Sequence, residues 1–388
     1  LGPLARWPDT RILPMSPDAA NKCSSATLLL SKGLSPGKLR GLQRISDPEG
    51  TLTMLALDQN SSVIEMATQA LHRQGERRDP TYEEIVEAKV ELTRNLAPAA
   101  SAVLIDAYYG AWSAVASQAI PPATGLLVRY EMSGSPKNKV GAPMGHVEPG
   151  WSVAKIKRMG ADAVKLLAQF EPTEPISAEH QFQLVSHVHR ECQEHDILML
   201  LETIPFPFGG QKKTDGGYLD RKAQSIIEAA RQLSPFCDIY KSEFPGTLGR
   251  ESVGQLEDNL HALDAASERP WVLLSAGVDY PDYVQQVEMA LDVGASGTLG
   301  GRSFWKEYFL QETPQARSQF AATTARQRLE SVRDVVRSRA TPWFARYGFT
   351  ASELTTIRAA EGWHARYAGR GPAPEPPAAR ATVPGEVY

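Results

Sequence analysis

Two lysines stand in runs that otherwise read as apolar strands: Lys165 inside DAVKLLAQF (162–170) and Lys241 inside DIYKSEFP (238–245). Two carboxylates fall late in similar runs, Asp58 at the end of TLTMLALD (51–58) and Glu202 in ILMLLETI (197–204). Charged groups in apolar strands cost free energy unless they are paired or used. One such residue is readily a structural ion pair; several at the same end of successive strands read better as the lining of a polar pocket. A lysine attacks a carbonyl carbon only as the free amine, so its ordinary pKa of about 10.4 has to be lowered by desolvation or by a second cation. Lys165 is expected to supply that cation to Lys241. Glu202 would move protons while a carbinolamine loses water to give an iminium, and Asp58 would hold or deprotonate a hydroxyl beside the bond that breaks. The rival reading is structural: two ion-paired lysines, with Glu202 as a salt-bridge partner. Asp106, closing SAVLID (101–106), reads as structural.

A second group points to an anion. SAGV (275–278) and LGGRSF (299–304) are small, Gly-containing turns after apolar runs. Backbone N–H groups in such turns converge on phosphate, and a helix N-terminus adds a favourable dipole. Ser275, Gly277, Gly300, Gly301 and Arg302 are the expected cradle, with Arg302 supplying a forked charge. The alternative for Gly300-Gly301 is a tight turn in which glycine serves close packing.

These residues need a scaffold that brings strand ends together. The runs at 51–58, 101–106, 124–131, 162–170, 197–204, 238–245, 271–277 and 297–302 are short and nearly continuously apolar, which suits parallel strands buried on both faces. Helical periodicity falls between several of them. Ile85, Val86, Val90, Leu92 and Leu96 share one face; 152–159 reads as a short helix; Ile226, Ile227, Ala230 and Leu233 recur at helical spacing, as do Val284, Val287, Ala290 and Leu291. About eight such cycles predict a (β/α)8 TIM barrel with extra C-terminal helices between about Glu312 and Ala365. The runner-up is an open doubly wound sheet, against which no GxGxxG follows the first strand. Residues 1–36 read as a loosely ordered arm, 37–367 as the barrel domain and its C-terminal helices, and 368–388 as a disordered Pro/Ala-rich tail.

Composition narrows the partners. The chain has 388 residues, 42% apolar and 22% charged, with a net charge of −4 and no basic block. That gives no reason to expect nucleic acid. No run approaches a membrane span or a signal-peptide core. Cys23, Cys192 and Cys237 are too few and too scattered for a disulfide framework, which fits a reducing, cytoplasmic setting. HVHRECQEH (187–195) invites a metal reading, but it lies on an expected outer helix rather than at a strand end; no metal or other cofactor is expected. Homo-oligomer formation is left open.

The ordered set LALDQ (55–59), GLLVRYE (125–131), GADAVKLL (160–167), LLETI (200–204), DIYKSEFP (238–245), WVLLSAGV (271–278) and LGGRSFW (299–305) resembles the class I tagatose-1,6-bisphosphate aldolase family, which includes aldolases of 6-deoxy-6-sulfofructose 1-phosphate. The likeness covers about residues 38–348. It implies a Schiff base on Lys241, acid/base work by Glu202, Lys165 as neighbouring lysine, Asp58 in the strand-one role, and Ser275, Gly277, Gly300, Gly301 and Arg302 around a 1-phosphate. The implied partner is a small sugar phosphate, a ketose 1-phosphate cleaved to dihydroxyacetone phosphate and an aldehyde. The family reads Asp-Gln-Arg where this chain has LDQN, so Asn60 replaces an arginine that helps hold the distal anion. Lys212, Lys213 and Arg129 are candidates to restore that charge, and the distal group stays open between phosphate, sulfonate and an uncharged end. A non-catalytic sugar-phosphate-binding regulatory barrel and another Schiff-base lyase of phosphorylated sugars are the competing functions.

Overall fold

The computed structural model of the protein describes residues 29–359 and 361–367. Most of the expected N-terminal arm, with Cys23, and the expected tail at 368–388 lie outside the described residues.

The strands are β1 (Leu52–Leu57), β2 (Ala102–Ile105), β3 (Gly125–Arg129), β4 (Ala163–Gln169), β5 (Leu198–Ile204), β6 (Ile239–Ser242), β7 (Trp271–Leu274) and β8 (Gly297–Gly300). They pair in sequence order, all parallel, and β8 pairs back onto β1 to close the barrel. Around them run α1 (Pro36–Ile45), α2 (Ser61–Arg73), α3 (Tyr82–Leu96), α4 (Ala111–Ala116), α5 (Val153–Arg158), α6 (Pro175–Glu194), α7 (Gly216–Leu233), α8 (Val253–Ala266), α9 (Tyr280–Asp292) and α10 (Arg302–Trp305). The C-terminal helices follow as α11 (Pro314–Phe320), a π-helical segment at Ala321–Ala325 and α12 (Arg326–Arg339). Local chemistry starts several of these. Thr81 and Glu84 form a reciprocal capping box at α3, and Ser252 and Gln255 do so at α8.

Closure rests on one backbone conformation. Gly297 has φ +143, and a Cβ there would run into the Leu52 carbonyl oxygen, so only glycine lets β8 come against β1. The barrel unit spans Pro36–Gly348. In the second unit, Thr350 and Glu353 cap a short helix, Ala351–Thr356. No helix of the described residues is long and apolar enough to cross a membrane.

Strand parity decides which side chains meet helices and which enter the barrel. Leu55 and Leu57, Val103 and Ile105, Val128, Val164 and Leu166, Met199 and Leu201, and Tyr240 belong to the large apolar core, the layer between sheet and helices. Asp58, Asp106, Arg129, Lys165, Glu202 and Lys241 all have the opposite parity. A slip of one residue in any strand would move its charge out of the barrel and into the apolar layer.

Candidate active site

Register assembles the charges. Arg129 stands beside Lys165 across β3–β4, and Glu202 beside Lys241 across β5–β6. Lys241 Nζ donates to Glu202 Oε2 at 2.8 Å. Lys165 Nζ lies 3.2 Å from the same oxygen and donates to Asp58 Oδ2 at 2.8 Å and Glu131 Oε1 at 2.6 Å. Arg129 Nη1 donates to the Asp58 carbonyl at 2.6 Å. The structure thus brings together all four residues expected to do the chemistry. It adds Glu131, whose second oxygen accepts the Leu167 N–H at 2.9 Å. Sequence reasoning passed over Glu131 although the signal was the same as for Asp58, a carboxylate closing an apolar run.

One expected role changes. Lys165, expected to supply a cation beside Lys241, is itself surrounded by three carboxylates. Burial works against its charge, yet Asp58, Glu131 and Glu202 outweigh burial and hold its pKa above the ordinary lysine value. Lys165 is a permanently charged tie between strand ends rather than an uncompensated field. The carboxylates respond in kind. Burial raises Asp58, but Lys165, Lys241 and Arg129 hold it well below the usual carboxylate range. Glu202 is likewise raised by burial and lowered further by Lys165 and Lys241, with Asp58 opposing. Its side chain is the most accessible of the three, at 13% exposure against 9% for Glu131 and 6% for Asp58.

The turns after β7 and β8 are stitched to one another. Gly301 N–H donates to Ser275 Oγ at 3.3 Å. The carbonyls of Ala276, Gly277 and Val278 accept from Arg302 (3.5 Å), Lys306 (3.1 Å) and Ser303 (2.6 Å). Ala276 and Gly277 are consecutive left-handed residues, φ +49 and +80, and among the described residues their N–H groups have no acceptor. A Cβ on Gly277 would stand 3.1 Å from the Arg302 guanidinium carbon. Two unpaired N–H groups beside an arginine with no carboxylate partner among the described residues can hold an oxyanion. The strained Ala276 was missed; a non-glycine left-handed residue leaves no mark in composition. Two expected contributions shrink. The Gly301 N–H is already engaged, and α10 is a single turn, so its dipole adds little. Gly300 and Gly301 are also required by packing, against Tyr283 and the Ala56 carbonyl.

Of the candidates for the distal group, Arg129 stands in the lysine–carboxylate cluster, and the other three are not hydrogen-bonded to it. Asn60 is buried, but its Oδ1 accepts from Lys89 Nζ at 2.8 Å, and Lys89 pairs with Asp106. Lys212 and Lys213 are exposed on the β5–α7 loop. In HVHRECQEH, Cys192 faces the core from α6 while His189 meets Gln193, and no three His, Cys, Asp or Glu side chains of the described residues gather as a metal site.

The closed barrel of eight parallel strands, with lysines and carboxylates buried together at the strand ends, makes this a (β/α)8-barrel protein. The chain belongs to the DeoC/LacD family of aldolases, whose model matches residues 52–307. It is 28% identical over 329 residues to tagatose 1,6-diphosphate aldolase 2 of Streptococcus mutans, covering 80% of this chain and 97% of that protein. It is 27% identical over 331 residues to tagatose 1,6-diphosphate aldolase 1 of Enterococcus faecalis, covering 81% and 98%. The fold is also that of the fructose-bisphosphate aldolase of Plasmodium falciparum, with a TM-score of 0.58 at 10% identity over 79% of this chain and 95% of the other.

Proposed function

We propose that the protein is a Schiff-base aldolase that reversibly cleaves a ketose 1-phosphate to dihydroxyacetone phosphate and an aldehyde. The observation that carries this is the buried Lys241 ammonium held on Glu202 Oε2 at 2.8 Å, where the carboxylate can take the proton that the lysine must lose. Relatives named tagatose 1,6-diphosphate aldolases support a ketose phosphate as substrate; a 6-sulfo 1-phosphate is the variant that Asn60 leaves in play.

The free amine of Lys241 adds to the ketone carbon, and the carbinolamine loses water, with Glu202 returning the proton to the departing hydroxyl. The iminium then accepts the electron pair of the C3–C4 bond as that bond breaks, while the C4 hydroxyl proton passes to a carboxylate; Asp58 is the candidate. The aldehyde leaves, the enamine is protonated at C3, and water releases dihydroxyacetone phosphate. The 1-phosphate sits at Arg302, Ser275 and the N–H groups of Ala276 and Gly277.

Borohydride added with dihydroxyacetone phosphate tests this reading. The expected result is inactivation, with one added mass on the peptide that holds Lys241, and no trapping in Lys241→Ala. The strand ends present lysines and carboxylates instead of histidines, so activity should also survive prolonged chelation and dialysis. Activity that chelation removes and zinc restores, with no trapped adduct, would place the chemistry elsewhere.

A further inference from the structure

The face of the barrel opposite the lysine–carboxylate cluster holds a cleft that the proposed chemistry does not use. It lies at the amino ends of β1, β2 and β3, between the end of α1 and the helix α12, and has a volume of about 500 Å³. That is room for a small metabolite. One wall is apolar, with Pro98, Ala99, Ala100 and Pro121. The other carries two guanidinium groups, Arg333 and Arg337, one turn apart on α12.

Like charges one turn apart on a helix repel, and the carboxylates nearby do little to offset this. Asp47 Oδ2 meets Arg337 Nε at 3.3 Å, but the same oxygen accepts from the Thr51 hydroxyl at 2.6 Å and the other oxygen from the Thr51 N–H at 2.9 Å. Among the described residues Arg333 meets only the carboxylate of its exposed chain neighbour Asp334, at 3.4 Å. Two forked cations thus share one cleft with a single carboxylate whose oxygens are already engaged.

Thr53 gives a second, independent observation. It has the strand parity of Leu55 and Leu57, which face the helices, and it lines the same cleft. It is 1% exposed, and its hydroxyl has no partner among the described residues. Its backbone N–H and carbonyl are both met by Ser101 Oγ, so only the hydroxyl is left over. A buried hydroxyl without a partner costs free energy, and an acceptor brought into the cleft would remove that cost.

We propose that this cleft binds a small phosphate monoester. Two forks and a hydroxyl donor call for three acceptor oxygens, which a phosphoryl group has and a carboxylate lacks. The phosphoryl group sits on Arg333 and Arg337 with the Thr53 hydroxyl donating to it, and the organic part lies along the Pro/Ala wall. The site is separate from the turns at Arg302, which stand at the other ends of the strands, and it does not depend on the aldolase reading.

Calorimetric titration with glycerol 3-phosphate tests this, made in Arg302→Ala so that the turns after β7 and β8 contribute little. One site per chain should remain. Adding Arg333→Gln or Arg337→Gln should weaken it by ~10-fold or more, the worth of one charge-assisted hydrogen bond. Thr53→Val should also weaken it while leaving the urea midpoint of the ligand-free protein unchanged or higher, because the hydroxyl it removes is unpaired; a hydroxyl that served only the fold would lower the midpoint and spare binding. Inorganic phosphate should bind more weakly than the ester, since it leaves the Pro/Ala wall bare. If Arg337→Gln, which also strands Asp47, does not fold, Arg333→Gln and Thr53→Val decide alone. No binding in Arg302→Ala, or binding that the arginine and threonine variants leave unchanged, overturns the proposal, and so does inorganic phosphate bound as tightly as the ester.

Discussion

Glu131 shows how much of the site is arranged by groups that need not touch a substrate. One oxygen holds Lys165 and the other holds the Leu167 N–H, so a single carboxylate ties the end of β3 to the middle of β4. Glu131→Gln keeps the size but weakens the charge-assisted bond to Lys165, worth about 1.5–3 kcal/mol. The expected loss in kcat/KM is therefore about 10- to 100-fold, measured beside urea unfolding of the same variant. A variant that is less stable yet fully active would mean that Glu131 serves the fold alone. Lys89 teaches a related lesson. The apolar face of α3 buries Ile85, Ala88, Lys89, Leu92 and Leu96, so the lysine stands in the core stripe. Counting Val86 and Val90 into that face hid it. A lysine in such a stripe signals a buried acceptor, but which one depends on β1 and β2, far along the chain.

At the scale of elements, the apolar runs located every strand because parallel strands buried on both faces tolerate few polar residues. The runs extended past the hydrogen-bonded ladder at their carboxyl ends. Asp58, Asp106 and the residues after Ser242 and Leu274 lie beyond β1, β2, β6 and β7, where the chain has left the ladder and turned into the site. The turns were less legible, since the left-handed Ala276 follows from its neighbours' hydrogen bonds and not from its own type. Between about Glu312 and Ala365 the expected C-terminal helices are present as the long run from Pro314 to Arg339, with its π-helical segment, and short helices at Trp343–Arg346, Ala351–Thr356 and Trp363–Arg366. Closure is the most demanding step for an element. Gly297→Ala forces a side chain into the Leu52 carbonyl at φ +143, and a strained backbone with an overpacked contact costs about 1–3 kcal/mol or more. The urea midpoint should fall accordingly, with the loss of activity following the loss of folded protein. An unchanged midpoint would show that β8 can move away from β1 without cost.

For the whole molecule, the charges buried at the barrel mouth tie stability to pH. Asp58 and Glu202 have folded pKa values below their ordinary ones. Their contribution is therefore fully present above the unfolded carboxylate values of about 4 and is lost as pH falls toward the depressed folded values. Lys165 is raised, so its contribution is present below about 10.4 and lost only as pH rises through its higher folded value. Lys89 runs the other way. Burial lowers it against the pull of Asp106, and its charge costs stability at neutral pH. The barrel should consequently loosen on the acid side, with stability level around neutrality and falling below about pH 4. Asp58→Asn isolates one carboxylate from this sum, because the amide mimics the protonated acid in size and charge. The variant should be less stable than the wild type at pH 7, and the two urea-midpoint curves should converge as pH falls and the wild-type Asp58 takes up its proton. Curves that run parallel from pH 7 to pH 3 would mean that Asp58 is bound no more tightly to Lys165 in the folded chain than to water in the unfolded one. The short Lys165 contacts at the strand ends would then contribute geometry to the site and nothing to the stability of the barrel.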